Sequence, residues 1–174
     1  MTGPVWLISG CPGVGKSSVS RALLTRFPRG LHLPVDDLRE LVVSGISHPS
    51  MTPNPETDRQ FRLARQAAAH HARLYAEAGF AVTVDDVLCP QDAALFLAAL
   101  EGLEVHRVFL APGLEVAQAR NAARLTKAFE PATLAPLIAA LYPAMPPEAY
   151  REAGWTVLDT AELTVEQTVD RLLR

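Results

Sequence analysis

The sequence predicts an α/β domain in which a five-stranded parallel sheet is covered by helices on both faces. Three observations predict it. Short apolar runs alternate with helical periodicities along the whole chain. Acidic pairs follow two of those runs, at the strand ends where open parallel sheets gather their reactive loops. A glycine-rich turn, Gly10 to Ser17, reads GCPGVGKS and joins the first apolar run to the first helical pattern. With 174 residues, 49% hydrophobic content and no break in composition, one domain spanning 1–174 is expected.

Val5, Trp6, Leu7 and Ile8 form the first strand, and Val19, Ala22, Leu23 and Phe27 recur at helical spacing. The turn between them completes the Walker A pattern G-x-x-x-x-G-K-[ST]. At an average glycine usage of about 7%, an accidental full match in a chain of this length is a less than roughly one-in-a-hundred event, and the strand-turn-helix context lowers it further. The residue types follow from the ligand, because a polyphosphate has to approach the backbone closely. Gly10, Gly13 and Gly15 permit that approach, and successive N–H groups of Gly10, Cys11, Pro12, Gly13, Val14 and Gly15, proline excepted, together with the helix N-terminus, form an anion cradle. Lys16 supplies a point charge for the β- and γ-phosphates, Ser17 a hydroxyl for Mg²⁺, and Ser18 a further phosphate hydrogen bond.

A second strand is expected from Leu31 to Val35, with Asp36-Asp37 at its carboxyl edge. Asp36 is the candidate base toward an acceptor hydroxyl, although either aspartate also suits the cap of the following helix. Arg39, three residues on, is a candidate acceptor clamp, with a solvent-facing arginine as the plain alternative. The proline-bearing stretch from Gly45 reads as an acceptor flap, 45–57. Thr57 and Gln60 match a capping box that opens a long helix ending near Gly79. Adjacent His70 and His71 diverge around that helix and do not make a metal pair. Arg62, Arg65 and Arg73 line either an acceptor cleft or a solvated face.

Phe80 to Val84 is the third strand, followed by Asp85-Asp86 in a Walker B-like position. Asp85, directly after the strand, is the candidate for a metal-bound water or the acceptor, and Ser17 is the other metal candidate. The fourth strand, near Val105 to Ala111, leads to a helix with Arg120 and Arg124 on one face, a candidate lid over 120–132. Either guanidinium could stack on adenine or neutralise charge during transfer. Lys127 has no clear part. Helical pieces within 131–153, a last strand from Trp155 to Leu158 and a helix capped by Thr164 and Gln167 complete the chain.

Composition narrows the partners. A formal net charge of -3 gives no general attraction to nucleic acid or anionic lipid. Two cysteines without disulfide or metal spacing, and no apolar run long enough to span a bilayer, lead to the expectation of a cytoplasmic protein without membrane partners.

Together, GCPGVGKS, VDDLRE, VTVDDV and ARNAAR resemble the P-loop kinase family, in particular its chloramphenicol phosphotransferase-like and polynucleotide-kinase-like members, AAA-type P-loop small-molecule kinases. The resemblance implies a three-layer P-loop NTPase/kinase fold with strand order 2-3-1-4-5 and a small lid. It also implies Lys16, Asp36 and Arg124 as catalytic residues, Arg120 beside the nucleotide, Arg39 on the acceptor, and ATP with Mg²⁺. The expected activity is transfer of the γ-phosphoryl group to an alcohol group of a small molecule. A nucleotide or nucleic-acid 5′-hydroxyl kinase and a nucleotide-sensing module without transfer are the alternatives. Thr126-Lys127 is followed by Ala128-Phe129 rather than a guanine signature, which disfavours a GTPase switch.

Overall fold

The computed structural model describes residues 1–50, 52–122 and 131–174. Its elements run β1 (Val5–Ser9), α1 (Lys16–Leu24), β2 (Gly30–Pro34), α2 (Val35–Glu40), α3 (Pro55–Glu77), β3 (Ala81–Asp86), α4 (Ala93–Ala99) and β4 (Val105–Leu110). Then follow α5 (Leu114–Ala122), α6 (Pro131–Ala144), α7 (Pro147–Glu152), β5 (Thr156–Leu158) and α8 (Val165–Leu172). Arg124 and Lys127 lie outside the described residues, as does most of the candidate lid.

The five strands order as β2-β3-β1-β4-β5 and every pairing is parallel. The chain moves one way across the sheet from β1 to β2, then the opposite way through β3, β4 and β5. Because crossovers are right-handed, that reversal places α1 on one face and α3 and α4 on the other. Packing agrees: α1 contacts α8, while α3 contacts α4. All of β1 and all of β3 are therefore buried. Such two-sided burial is what continuous apolar runs such as Val5 to Ile8 require.

The reversal occurs beside β1, so the carboxyl ends of β1 and β3 open onto the crevice where ligands collect in such sheets. Behind it, Tyr150 stacks on Phe109 with centroids 3.7 Å apart and meets Trp155 edge-on. The Tyr150 hydroxyl donates to Leu88 O at 3.0 Å, and Ser9 Oγ donates to the same carbonyl at 2.7 Å. These bonds tie α7 and β1 to the loop after β3. Tyr150→Phe removes one of the two donors, and a loss of about 1 kcal/mol in denaturant unfolding is expected. An unchanged midpoint would show that the bond contributes nothing net.

Local expectations met the structure in different ways. The Thr164–Gln167 capping box is present on α8, and Gly79 takes φ +81° just past α3. The Thr57–Gln60 box is not the start of α3. Asn54 caps that helix by accepting from Glu56 N, and Pro55, which has no N–H to lose, fills its first position. The last residues of the expected flap are therefore helical.

Candidate active site

The P-loop turn owes its shape to positions where only glycine fits. Gly13 has φ +88°, and a Cβ there would stand 2.4 Å from Ala117 O, inside the packing of α5. Gly15 has φ +100° and forms the N-cap of α1, with no side chain to occupy the first N–H groups. Those amides remain directed at the crevice. Gly13→Ala is expected to cost about 2 kcal/mol or more of stability through clash and strain, measured by urea unfolding. Wild-type stability would mean that α5 yields freely at this contact.

Cys11 and Val14 turn their side chains into the core, Cys11 Sγ reaching Met145 Sδ at 3.7 Å. These two predicted nucleotide residues therefore have only main-chain groups to offer a ligand. Lys16 Nζ donates to Gly10 O at 2.8 Å and Cys11 O at 3.1 Å. Burial pulls the ammonium below the ordinary lysine value, against the opposing charges of Asp85, Asp36 and Asp86.

A cleft of about 1080 Å³ opens from this loop. Its walls bring together Pro12, Gly13, Gly15, Lys16 and Ser17 with Asp36, Arg39 and Asp85. Asp36 sits in the first turn of α2 rather than in a free loop, because the chain bends directly from Pro34 into helix. The helix-cap alternative does not hold, since Pro34 is the N-cap and no side chain caps it. Asp37 is exposed on the adjoining face.

Asp85 and Asp86 belong to the end of β3, which extends two residues past the expected strand, and both are buried. Alternation along the strand sends their side chains to opposite faces. Ser17 Oγ donates to Asp85 Oδ2 at 2.6 Å, and His32 Nε2 lies 3.4 Å from Asp85 Oδ1. Burial works to raise the Asp85 pKa. The contacts with His32 and Ser17 and the charge of Lys16 outweigh it and hold the carboxyl below its usual value. Asp86 instead takes Arg65 Nε at 2.6 Å, and burial pushes its pKa up despite that guanidinium.

Magnesium suits these donors. Among the described residues no group of three or more His, Cys, Asp or Glu is placed to hold a metal alone. Mg²⁺ needs only one or two hard oxygens beside substrate phosphates, and Ser17 Oγ with the ionised Asp85 carboxylate answers that requirement.

Arg39 is not a solvent arginine. It is 4% exposed, donates from Nη1 to Ser47 O at 2.7 Å and lies 4.4 Å over the Phe61 ring. Gln60 and Thr57, the misassigned capping pair, hold the same segment: Ser47 N donates to Gln60 Oε1 at 2.9 Å, and the Ser47 and Thr57 hydroxyls lie 2.7 Å apart. Arg62 and Arg65 line the cleft, whereas Arg73 turns to Ala99 O and Glu77. On the other side of the loop, Arg120 donates to Val14 O at 3.2 Å and Thr160 O at 2.8 Å. It borders a second cavity, of about 330 Å³, with Gly13, Gly15, Ser18 and Thr164. His32, Phe61 and Thr160 were missed. Their neighbours are brought to them by strand order and loop packing, which no local pattern signals.

Similar folds occur in solved structures. The Deinococcus radiodurans tunicamycin resistance protein is 21% identical with a TM-score of 0.63, over 98% of this chain and 93% of its own. A Janibacter sugar kinase is 19% identical with a TM-score of 0.66, over 98% and 92%. The Mycobacterium tuberculosis APS kinase CysC, in complex with AMPPNP and APS, is 18% identical with a TM-score of 0.64, over 99% and 96%. At these identities the likeness establishes the P-loop kinase fold. No curated protein matches the chain. Residues 5–142, from β1 into α6, match the family described as AAA domain. The phosphate loop, the strand order and that match together place this chain in the AAA-domain family of P-loop proteins.

Proposed function

We propose that this single-domain protein is an ATP- and Mg²⁺-dependent kinase that transfers the γ-phosphoryl group to a hydroxyl of a small molecule. One observation carries the reading: Asp36 lines the same cleft as Lys16, Ser17 and Asp85. A base and a phosphate cradle that share one crevice suit in-line transfer.

In this reading the amides of Gly13 to Ser18 hold the donor phosphates, and Lys16 exchanges its loop carbonyls for β- and γ-oxygens. Ser17 and Asp85 would hold Mg²⁺, which would supply neutralisation of charge on the donor phosphates. Asp36 accepts the acceptor's hydroxyl proton as its oxygen bonds to the γ-phosphorus, while the bond to the β,γ-bridging oxygen breaks and ADP departs. Arg39 and the 45–57 segment border the acceptor, and Arg120 borders the nucleotide at the start of a lid over 120–132, where Arg124 would add a further charge.

The test is turnover of γ-labelled ATP with Mg²⁺ against pooled alcohols, sugars, antibiotics, nucleosides and 5′-hydroxyl oligonucleotides. Label entering a small-molecule pool is the expected result. Label on oligonucleotides, with salt-dependent binding, moves the acceptor to nucleic acid. Tight ATP binding without product in any pool would sink the transferase reading and leave a nucleotide sensor.

A further inference from the structure

His32 lies outside the phosphate loop and the acceptor wall, in the middle of β2. Its ring is nonetheless set against the carboxylate that receives the Ser17 hydroxyl. Parallel pairing puts His32 opposite Thr83 and Pro34 opposite Asp85, so His32 and Asp85 share one face of the sheet. On that face His32 Nε2 comes to 3.4 Å from Asp85 Oδ1, with side-chain exposures of 11% and 4%. Oδ1 and Oδ2 are thus divided between two partners, His32 and Ser17.

The row around the histidine is polar and closed. Trp6 on β1 aligns with Thr83, and both Trp6 Nε1 and Thr83 Oγ1 are buried without a hydrogen-bond partner among the described residues. His32 Nε2 also falls short of hydrogen-bond geometry, and its ionisable neighbour at contact distance is Asp85. A buried nitrogen in that position loses more by turning away than by closing on the carboxylate.

We propose that His32 is a positioning residue for Asp85. It holds Oδ1 so that Oδ2 keeps the Ser17 hydroxyl oriented, with the oxygen's lone pairs free for Mg²⁺ at the nucleotide. The inference rests on the phosphate-loop reading above but not on any acceptor or on turnover. Outer partners of metal-site carboxylates act on metal affinity with effects of about tenfold or more.

The test is calorimetric binding of AMPPNP with and without Mg²⁺, on the full chain. His32→Leu is expected to leave metal-free AMPPNP affinity within about twofold, and to reduce the gain in affinity brought by Mg²⁺ by about tenfold. His32→Gln, which keeps an N–H donor, is expected to recover much of that gain. Thr83→Val changes the buried neighbour without touching Asp85 and is expected to retain it. A full Mg²⁺ gain in His32→Leu would overturn the proposal. So would an equal loss in Thr83→Val, because packing rather than the Asp85 contact would then set the gain. If His32→Leu does not fold, His32→Phe, which keeps a ring without its nitrogens, takes its place: a Mg²⁺ gain as large in His32→Phe as in Thr83→Val overturns the proposal. Wild-type protein without AMPPNP affinity would instead defeat the phosphate-loop reading itself.

Discussion

Lys16→Ala is expected to lower turnover by about 10²- to 10³-fold, and to abolish most of the thermal stabilisation that Mg·ATP confers on the wild type. The size follows from removing one preorganised charge aimed at the transferring phosphoryl group. The free protein should unfold at nearly the wild-type temperature. Its two loop bonds, to Gly10 O and Cys11 O, are lost together with the cost of a cation whose pKa burial depresses. Ligand-dependent stabilisation isolates the binding role, because a ligand raises stability only as far as the folded state binds it. Undiminished affinity and activity would show that the ammonium stays on the loop carbonyls when nucleotide is present.

Asp36→Asn carries the second large effect, a loss of roughly 10²- to 10⁴-fold in turnover with nucleotide affinity within about twofold. The replacement keeps shape and hydrogen bonding but cannot take the acceptor's proton. Equal losses in kcat and kcat/KM for the acceptor are expected, since the interaction belongs to the transition state. Asp37→Asn serves as the comparison, because Asp37 is exposed on the same helical turn and Asp36 faces the cleft. Full activity in the Asp36 variant, with loss in the Asp37 variant, would transfer the role to the neighbour.

The phosphate loop was legible because its chemistry is local. Close approach of backbone to phosphate demands glycine at fixed offsets, and the same offsets place Lys16 and Ser17 on the first turn of α1. Strand positions were legible too, since two-sided burial writes itself as apolar runs. Less local features were misread. Thr57 and Gln60 have the spacing of a helix start, yet they face Ser47 across a loop, while Asn54 and Pro55 begin α3. Arg39, and Arg65 among the arginines of the long helix, each read as either an acceptor contact or a solvent-facing side chain. Phe61 and Ser47 hold the first, and Asp86 with Asp92 holds the second.

By itself, then, the sequence determined that this chain folds as alternating strands and helices, with an anion cradle after its first strand. It also brought two acidic pairs to strand ends and singled out Asp36 and Asp85 by position alone, leaving open which partner each member meets. That choice belonged to tertiary structure. Sheet alternation turned Asp85 toward Ser17 and His32 and Asp86 toward Arg65, and the bend after Pro34 set Asp36, not Asp37, on the cleft wall. The physical reason is range. A turn's backbone demands are met within a few residues, whereas the partner of a buried charge is fixed only when distant strands come into register.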